Sequence, residues 1–160
     1  VPKTGDLGFP GEYAHGYFDL GYASGGSVGA SDFLVDNTAV DPSLGWSAGN
    51  IISTPADMAK WAKAVAEGKL FDEAHQAALL TDMFPLTRSS LSYGYGITRD
   101  ADKNILGHRG QIPGYDNAMF YHLGLRTSFA VTVNQTIIPN VGNTQSLILD
   151  DAMDILLGVD

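Results

Sequence analysis

The stretch Leu106-Gly107-His108-Arg109-Gly110-Gln111-Ile112-Pro113-Gly114-Tyr115 decides both the fold and the candidate site of this chain. An apolar run leads into a His that lies between glycines, and a Pro-Gly pair then turns the chain into another run. Glycine lets a ligand approach the backbone closely, and His exchanges protons near neutral pH. We interpret His108 as part of an active-site wall at the rim of a strand. The alternative is a buried, hydrogen-bonded His at a tight strand end.

Composition excludes several classes of function. The 160 residues suffice for one domain with a core, and 9 basic against 18 acidic residues give a formal net charge of −9. Such a surface repels nucleic-acid phosphates and anionic lipid headgroups. No apolar run approaches the ~20 residues of a membrane-spanning helix. The chain has no cysteine. We therefore expect no nucleic-acid partner, no transmembrane segment, no metal and no cofactor.

The first 84 residues divide into an irregular part and a helical part. Residues 1–45 are rich in Gly, Pro and Ser and predict a long irregular loop region. Residues 53–84 predict helices, the first beginning at Ser53-Thr54-Pro55 and the second running from about Asp72 to Met83. The first helix has an apolar stripe of Met58, Trp61, Ala62 and Val65.

Strand patterns dominate residues 92–134. Residues 92–99 are Tyr- and Gly-rich and predict an extended segment, followed by strands over 104–108, 115–123 and 127–134. Residues 143–158 predict a closing amphipathic helix with Leu149, Met153 and Leu156 on one side. We thus predict an α+β fold, in which helices flank an antiparallel sheet of three or four strands.

No convincing nucleophile accompanies His108. Gly25-Gly26-Ser27-Val28-Gly29 spells the Gly-x-Ser-x-Gly pattern, and Asp100 or Asp102 would complete the order Ser, Asp, His. The residues before it make a poor buried strand, so a flexible loop is the preferred interpretation. A small hydrolase that uses Ser27 stays a third hypothesis for function.

The other candidates are a tryptophan and three histidines. Trp46-Ser47-Ala48-Gly49 precedes the first helix, where Trp46 either lines a cleft or anchors the core. His15, His75 and His122 lack metal-ligand spacing, so we expect surface or packing roles for them.

Taken in order, several segments resemble the penicillin-recognising serine hydrolases, which include class C β-lactamases, D-alanyl-D-alanine carboxypeptidases and D-aminopeptidases. The segments are Ala14-His15-Gly16-Tyr17, Trp46 to Met58, Tyr93-Gly94-Tyr95-Gly96 and Gly107 to Tyr115. The last resembles the third active-site motif of the family, Lys/His-Thr/Ser-Gly, with Arg109 at the Thr/Ser position. The resemblance extends from about His15 to Leu157.

Two other motifs of that family have no counterpart. No Ser-x-x-Lys occurs, and the Tyr-x-Asn spelling at Tyr115-Asp116-Asn117 follows the third motif instead of preceding it. The resemblance implies that both motifs lie upstream of Val1. We expect the chain to be the C-terminal part of the enzyme, with an N-terminal part as its partner. The chain begins without Met or a signal-like segment, which also suggests a piece or a processed product.

The resemblance also implies roles for the residues of the third motif. An upstream Ser would be acylated and deacylated, while His108 supports the proton relay electrostatically. Gly110 would let a substrate lie along the strand edge, and the Gln111 amide would be an oxyanion donor. Arg109 would grip a substrate carboxylate or point outward, and Trp46 would line the cleft.

The expected function is hydrolysis of a D-amino-acid peptide, a β-lactam or an ester, outside the cytoplasm as for the enzymes it resembles. The isolated chain would be inactive without the nucleophile. The alternative is a non-catalytic binding or sensor module of the same fold, in which Arg109 marks the loss of catalysis.

Overall fold

The computed structural model describes residues 12–19, 34–87, 89–136 and 144–158. Its strands are β1 Tyr17–Asp19, β2 Leu34–Asp36, β3 Phe84–Pro85, β4 Leu91–Gly94, β5 Ile97–Asp100, β6 Ile105–Ile112, β7 Tyr115–His122, β8 Thr127–Val133 and β9 Gln135–Thr136. Its helices are α1 Trp46–Gly49, α2 Pro55–Ala66, α3 Glu73–Thr81 and α4 Thr144–Leu157. A 3-10 turn over Pro42–Gly45 precedes α1.

The main sheet has six strands in the order β3-β4-β5-β6-β7-β8. This is two strands more than the four predicted: one is β3, and the other arises because residues 92–99 are not one extended segment. Tyr95 and Gly96 have φ of 48° and 76°, and they turn β4 back onto β5. Two central residues with positive φ form the turn whose twist matches an antiparallel hairpin. A Tyr at such a position gives no turn signal in sequence, which explains the missed hairpin.

A small second sheet corrects the prediction that residues 1–45 are irregular. β1 pairs antiparallel with β2 and parallel with β9, so it lies between strands from distant parts of the chain. Each of these strands has three residues or fewer. Strands that short are too brief to show an alternation of apolar and polar residues. They become apparent only through pairing with distant residues such as those of β9. The remainder of the predicted loop lies outside the described residues.

Capping fixes the starts of the two helices that follow. The Thr54 hydroxyl accepts a hydrogen bond from the Asp57 amide, and Pro55 occupies the first turn. The Asp72 carboxylate accepts from the His75 amide at the start of α3. These are the groups that satisfy free amides at a helix N-terminus.

A compact apolar cluster joins both helices to the sheet. Val65 of α2 and Leu79 of α3 pack with Ile97 and Leu106 of the sheet. Trp61, which the sequence places on the apolar stripe of α2, is instead 52% exposed. In α4, Leu149 and Met153 are buried as the pattern indicates, whereas Leu156 is 41% exposed.

The chain divides into two compact units. Unit 1 comprises Val1–Ile52, Gly110–Asn117 and Val131–Asp160, and unit 2 comprises Ser53–Arg109 and Ala118–Ala130. The central strand β6 continues from unit 2 into unit 1 between Arg109 and Gly110. The predicted α+β class with a mostly antiparallel sheet and flanking helices is confirmed. No helix in the described part of the chain is long and apolar enough to cross a membrane.

Candidate active site

His108 lies on β6 with a hydrogen-bonded tyrosine beside it. The Tyr93 hydroxyl is 3.1 Å from Nε2 of His108, and the two ring centroids are 5.6 Å apart. Both residues belong to unit 2. His108 is half-buried, so it keeps access to solvent while one ring nitrogen has a partner. His108 thus has the hydrogen bond that the alternative expected, but it is neither fully buried nor at the end of its strand.

At its C-terminal end, β6 extends beyond its neighbour β5. The pairing of β5 with β6 ends at Thr98 opposite Gly107, and β5 itself begins at Ile97. β6 continues to Ile112, and among the described strands none follows it beyond β5 on that side. The end of β6 that carries Arg109 therefore presents an open strand edge. Such an edge can pair with an extended ligand.

Backbone geometry determines which amides face this open edge. The Leu123 amide donates to the Asn104 carbonyl oxygen at 3.0 Å, so this carbonyl points toward the β7 side. In a planar trans peptide the following N–H, that of Ile105, points the opposite way, toward β5. Alternate residues of a strand share the direction of their N–H and C=O groups. The amides of Arg109 and Gln111 therefore face the open edge.

The two glycines beside His108 differ in what they do for the fold. A Cβ on Gly107 would overlap the Met119 carbonyl oxygen and lie 2.8 Å from Phe120 Cα. Gly107 is thus required for close packing of β6 on β7. A Cβ on Gly110 would meet none of the described residues within 4 Å. Packing therefore does not explain why position 110 is a glycine. A glycine without a packing role is expected where a ligand approaches the backbone.

The side chains of Arg109 and Gln111 have partners in their own units. Arg109 Cζ lies 5.6 Å from the centre of the Phe120 ring, a cation–π distance. Gln111 Nε2 lies 3.5 Å from Oδ2 of Asp116, which is only 1% exposed. Asp116 is the middle residue of the Tyr-x-Asn spelling. Arg109, Gly110 and Gln111 are all exposed.

Trp46 stands at the start of α1 in unit 1. It is 76% exposed and has a φ of 42°, so it is not part of the core formed by the described residues. A role in lining a cleft stays a prediction. A Cβ built on Gly49, at the other end of α1, would lie 3.8 Å from the Ile112 side chain. The helix that begins with Trp46 therefore lies beside the last residue of β6.

A hydrogen-bonded network holds the turn that ends β6. The Tyr115 hydroxyl donates to the Ala14 carbonyl at 2.8 Å, and Asn37 Nδ2 donates to the Pro113 carbonyl at 3.0 Å. Burial, the largest effect, raises the pKa of Tyr115 above its usual value. Thr136 Oγ1 donates to the Ile112 carbonyl at 2.6 Å. The network fixes the hairpin that follows Gln111.

His15 forms a pair with Asp36 beside this network. Its Nδ1 lies 2.6 Å from Oδ2 of Asp36. The Thr38 hydroxyl, and then His15, hold the pKa of Asp36 at about 2. His15 is thus placed by a carboxylate in unit 1, a partner 21 residues away that no local sequence pattern predicts.

The remaining candidates have structural partners or lie outside the description. His75 Nδ1 is 2.7 Å from Asp72 at a helix start, and His122 Nδ1 accepts from the Leu125 amide at 2.9 Å. Asp100 accepts from Ser90 and from two amides of the turn that follows it. Residues 25–29 with Ser27 lie outside the described residues. Within the described ranges no group of three or more His, Cys, Asp or Glu could hold a metal.

Tyr93 is the site residue that the sequence did not single out. The sequence predicts one extended segment over residues 92–99, whereas Tyr93 belongs to β4, one strand of a hairpin. The local signal is a Tyr that alternates with glycines before the strand of His108. The contact forms because β5 pairs with both β4 and β6 and so brings Tyr93 near His108.

Comparison with known protein families shows which family the chain belongs to. Residues 7–150 match the beta-lactamase family. Since this match covers most of the chain, the protein belongs to the beta-lactamase family, and the resemblance seen in sequence is confirmed.

Solved structures share the fold. D-amino acid amidase from Ochrobactrum anthropi SV3, complexed with L-phenylalanine, has a TM-score of 0.70 and 20% identity over 91% of this chain and 44% of its own. A penicillin binding protein from Bacillus halodurans gives 0.68 and 23%, over 91% and 41%. D-stereospecific amidohydrolase from Streptomyces sp. gives 0.65 and 20%, over 79% and 36%. The chain spans less than half the length of these proteins.

Proposed function

We propose that this chain forms one wall of the active site of a β-lactamase-related serine hydrolase. The reaction is acylation of a Ser that lies outside these residues, followed by deacylation with water. Family membership supports the reaction class. The observation that carries the proposal is the open edge of β6, where Gly110 has no packing role and the Gln111 amide faces outward.

Each residue of this edge has a role in the proposal. A substrate lies along β6 as an added strand, with Gly110 leaving room for its backbone. The Gln111 amide donates to the developing oxyanion, and the nucleophile's own amide is the second donor. Losing one such donor typically lowers the rate by ~10²–10³-fold. His108, held by Tyr93, orients and supports the proton relay of the missing residues.

Arg109 is the residue that bears on substrate class. It stacks over Phe120 and stays exposed, so its guanidinium has a defined place beside the open edge. A guanidinium binds a carboxylate in a two-pronged geometry that a hydroxyl cannot match. The proposed substrates are D-amino-acid peptides, β-lactams or esters, and those with a carboxylate would bind through Arg109. Trp46 would cover another side of the substrate.

The proposal includes a partner and a compartment. The partner is the N-terminal part of the same enzyme, which carries Ser-x-x-Lys and Tyr-x-Asn. By family analogy the enzyme acts in the periplasm or after secretion. A non-catalytic binding module of the same fold remains the second candidate, because Arg109 replaces the usual Thr or Ser.

Mass spectrometry of the full-length protein after exposure to a β-lactam tests the proposal. The expected result is a covalent adduct on a Ser outside these 160 residues, and no turnover of β-lactam or ester by the isolated chain. An adduct on Ser27, or hydrolysis by the isolated chain, would overturn it. Binding of a D-alanyl peptide without any adduct would establish the non-catalytic module.

Substrate class is tested separately with Arg109→Ala in the full-length protein. We expect KM for a substrate with a free carboxylate to rise about tenfold, the loss of one charge-assisted hydrogen-bonded pair. A matched ester that lacks the carboxylate should keep its KM. Equal effects on both substrates would assign Arg109 a packing role on Phe120 instead.

A further inference from the structure

We propose that unit 2 carries a second binding site, a cavity that takes an organic cation with an aromatic or alkyl body. The cavity has a volume of about 490 Å³ and is lined by Asp82, Met83, Phe84, Gly94 and Tyr95. This volume lies within the range of sites for small molecules. The cavity lies between the end of α3 and the turn that joins β4 to β5.

The aromatic walls of this cavity are not explained by the core. Phe84 is 77% exposed and Tyr95 is 69% exposed, so neither ring contributes much apolar burial. Tyr95 also has a φ of 48°, a backbone conformation that costs a non-glycine residue on the order of 1 kcal/mol or more. An Asn, Asp or Gly would make the same turn more easily. A large exposed ring in a strained position is the pattern of a residue kept for contact with a ligand.

Asp82 gives the cavity its charge preference. It is exposed, its Oδ1 accepts a hydrogen bond from the Thr81 hydroxyl at 3.1 Å, and within the described residues it forms no ion pair. Asp82 lines the cavity together with Phe84 and Tyr95, and since a carboxylate and ring faces both attract positive charge, this lining favours a cation. The formal net charge of −9 adds attraction at longer range.

The lining is held in place before any ligand arrives. A Cβ on Gly94 would overlap the Asp82 carbonyl oxygen and lie 3.1 Å from Met83 Cα. Glycine at this position therefore allows β4 to contact the backbone that follows α3. The Ser92 hydroxyl lies 3.7 Å from the Met83 sulfur. Binding to a preformed cavity avoids much of the ordering cost.

The same hairpin carries Tyr93, the partner of His108. The cavity and the candidate active site are thus neighbours along β4, with Tyr93 and Gly94 adjacent. The binding proposal does not depend on hydrolysis, because the cation is recognised by residues outside the open edge of β6.

A fluorine NMR titration of the full-length protein tests the site. The probe is 4-fluorophenethylammonium, and the neutral control ligand is 4-fluorophenethyl alcohol, which has the same ring. We expect the cation to bind about threefold to tenfold more tightly at low salt, the combined effect of an exposed carboxylate and cation–π contact. Asp82→Asn should remove this preference, and Tyr95→Ala should weaken both ligands.

Asp102→Asn is the matched control, because Asp102 is an exposed carboxylate of the same unit outside the cavity. It should leave both affinities unchanged. Equal affinity of the cation and the alcohol for the unmodified protein would overturn the proposal, whatever the folding of the variants. So would equal effects of Asp82→Asn and Asp102→Asn. Repeating the titration on β-lactam-treated protein should give the same affinities, which separates this site from the hydrolase site.

Discussion

The Tyr93 hydroxyl and Nε2 of His108, which lie 3.1 Å apart, join the first hairpin of the main sheet to the strand of the candidate active site. One hydrogen bond of this kind limits how the imidazole can rotate. We therefore propose that Tyr93 acts through His108, as a positioning residue.

Tyr93→Phe tests this relationship. The variant removes the hydroxyl and keeps the ring, so we expect kcat to fall about threefold to tenfold, the net worth of one hydrogen bond. KM should change little, because Tyr93 is not placed against the substrate. Tyr95→Phe is the control. It removes a hydroxyl two residues further along the chain, in the turn after β4, and should keep kcat. A Tyr93→Phe enzyme with native kcat would show that the contact has no catalytic role.

The glycine pair Gly107 and Gly110 separates folding from function. Gly107→Ala places a methyl group against the Met119 carbonyl oxygen, so we expect a loss of about 3 kcal/mol or more in the free energy of unfolding. Gly110→Ala meets none of the described residues within 4 Å, so the free energy of unfolding should change by less than about 0.5 kcal/mol. Its kcat/KM should nevertheless fall at least about tenfold. Denaturant unfolding and steady-state kinetics measure the two effects, and a fully active Gly110→Ala enzyme would refute the strand-edge mode of binding.

Thr54 caps α2 by accepting from the Asp57 amide at 3.2 Å. Thr54→Ala should lower the free energy of unfolding by about 1 kcal/mol, since an N-terminal amide loses its partner. Ser53→Ala is the matched control, because the Ser53 hydroxyl contacts only the Thr54 carbonyl at 3.4 Å. Urea unfolding of both variants checks this. Equal stability of the two would mean that Pro55 alone sets the helix start.

The lowered pKa of Asp36 predicts that the stability of the fold depends on pH in the acid range. Its folded pKa of about 2 lies below the ordinary value of 3.8, chiefly through the Thr38 hydroxyl and then His15. A lowered pKa stabilises the fold above pH 3.8, and this contribution is lost as pH falls through 2. Thr38→Val should raise the pKa of Asp36 toward its ordinary value.

Carboxyl NMR titration of native protein and Thr38→Val measures that shift. In parallel, Asp36→Asn should lose less stability between pH 4 and pH 2 than the native protein does, a window set by the pKa of Asp36. An unchanged pH profile in Asp36→Asn would show that other groups dominate acid unfolding.

Much of the candidate site could be predicted because it is local in sequence. His108, Arg109, Gly110 and Gln111 are consecutive, so their adjacency in the sequence placed them together, although the predicted strand ended at His108 and β6 extends to Ile112. The roles assigned to them remain predictions. Tyr93 escaped prediction because its contact with His108 depends on pairing across β5, which no local pattern encodes.

The sequence by itself determined the helix starts at Thr54 and Asp72, the turn at Pro113-Gly114 and the α+β class. Each of these depends on capping groups, fixed φ angles or hydrophobic period within a few residues. Tertiary structure alone decided that β5 stops short of Arg109, that Gly107 packs while Gly110 does not, and that β1 lies between β2 and β9. Those features depend on which distant strands meet, and strand pairing is set by contacts between faces rather than by neighbours in the chain.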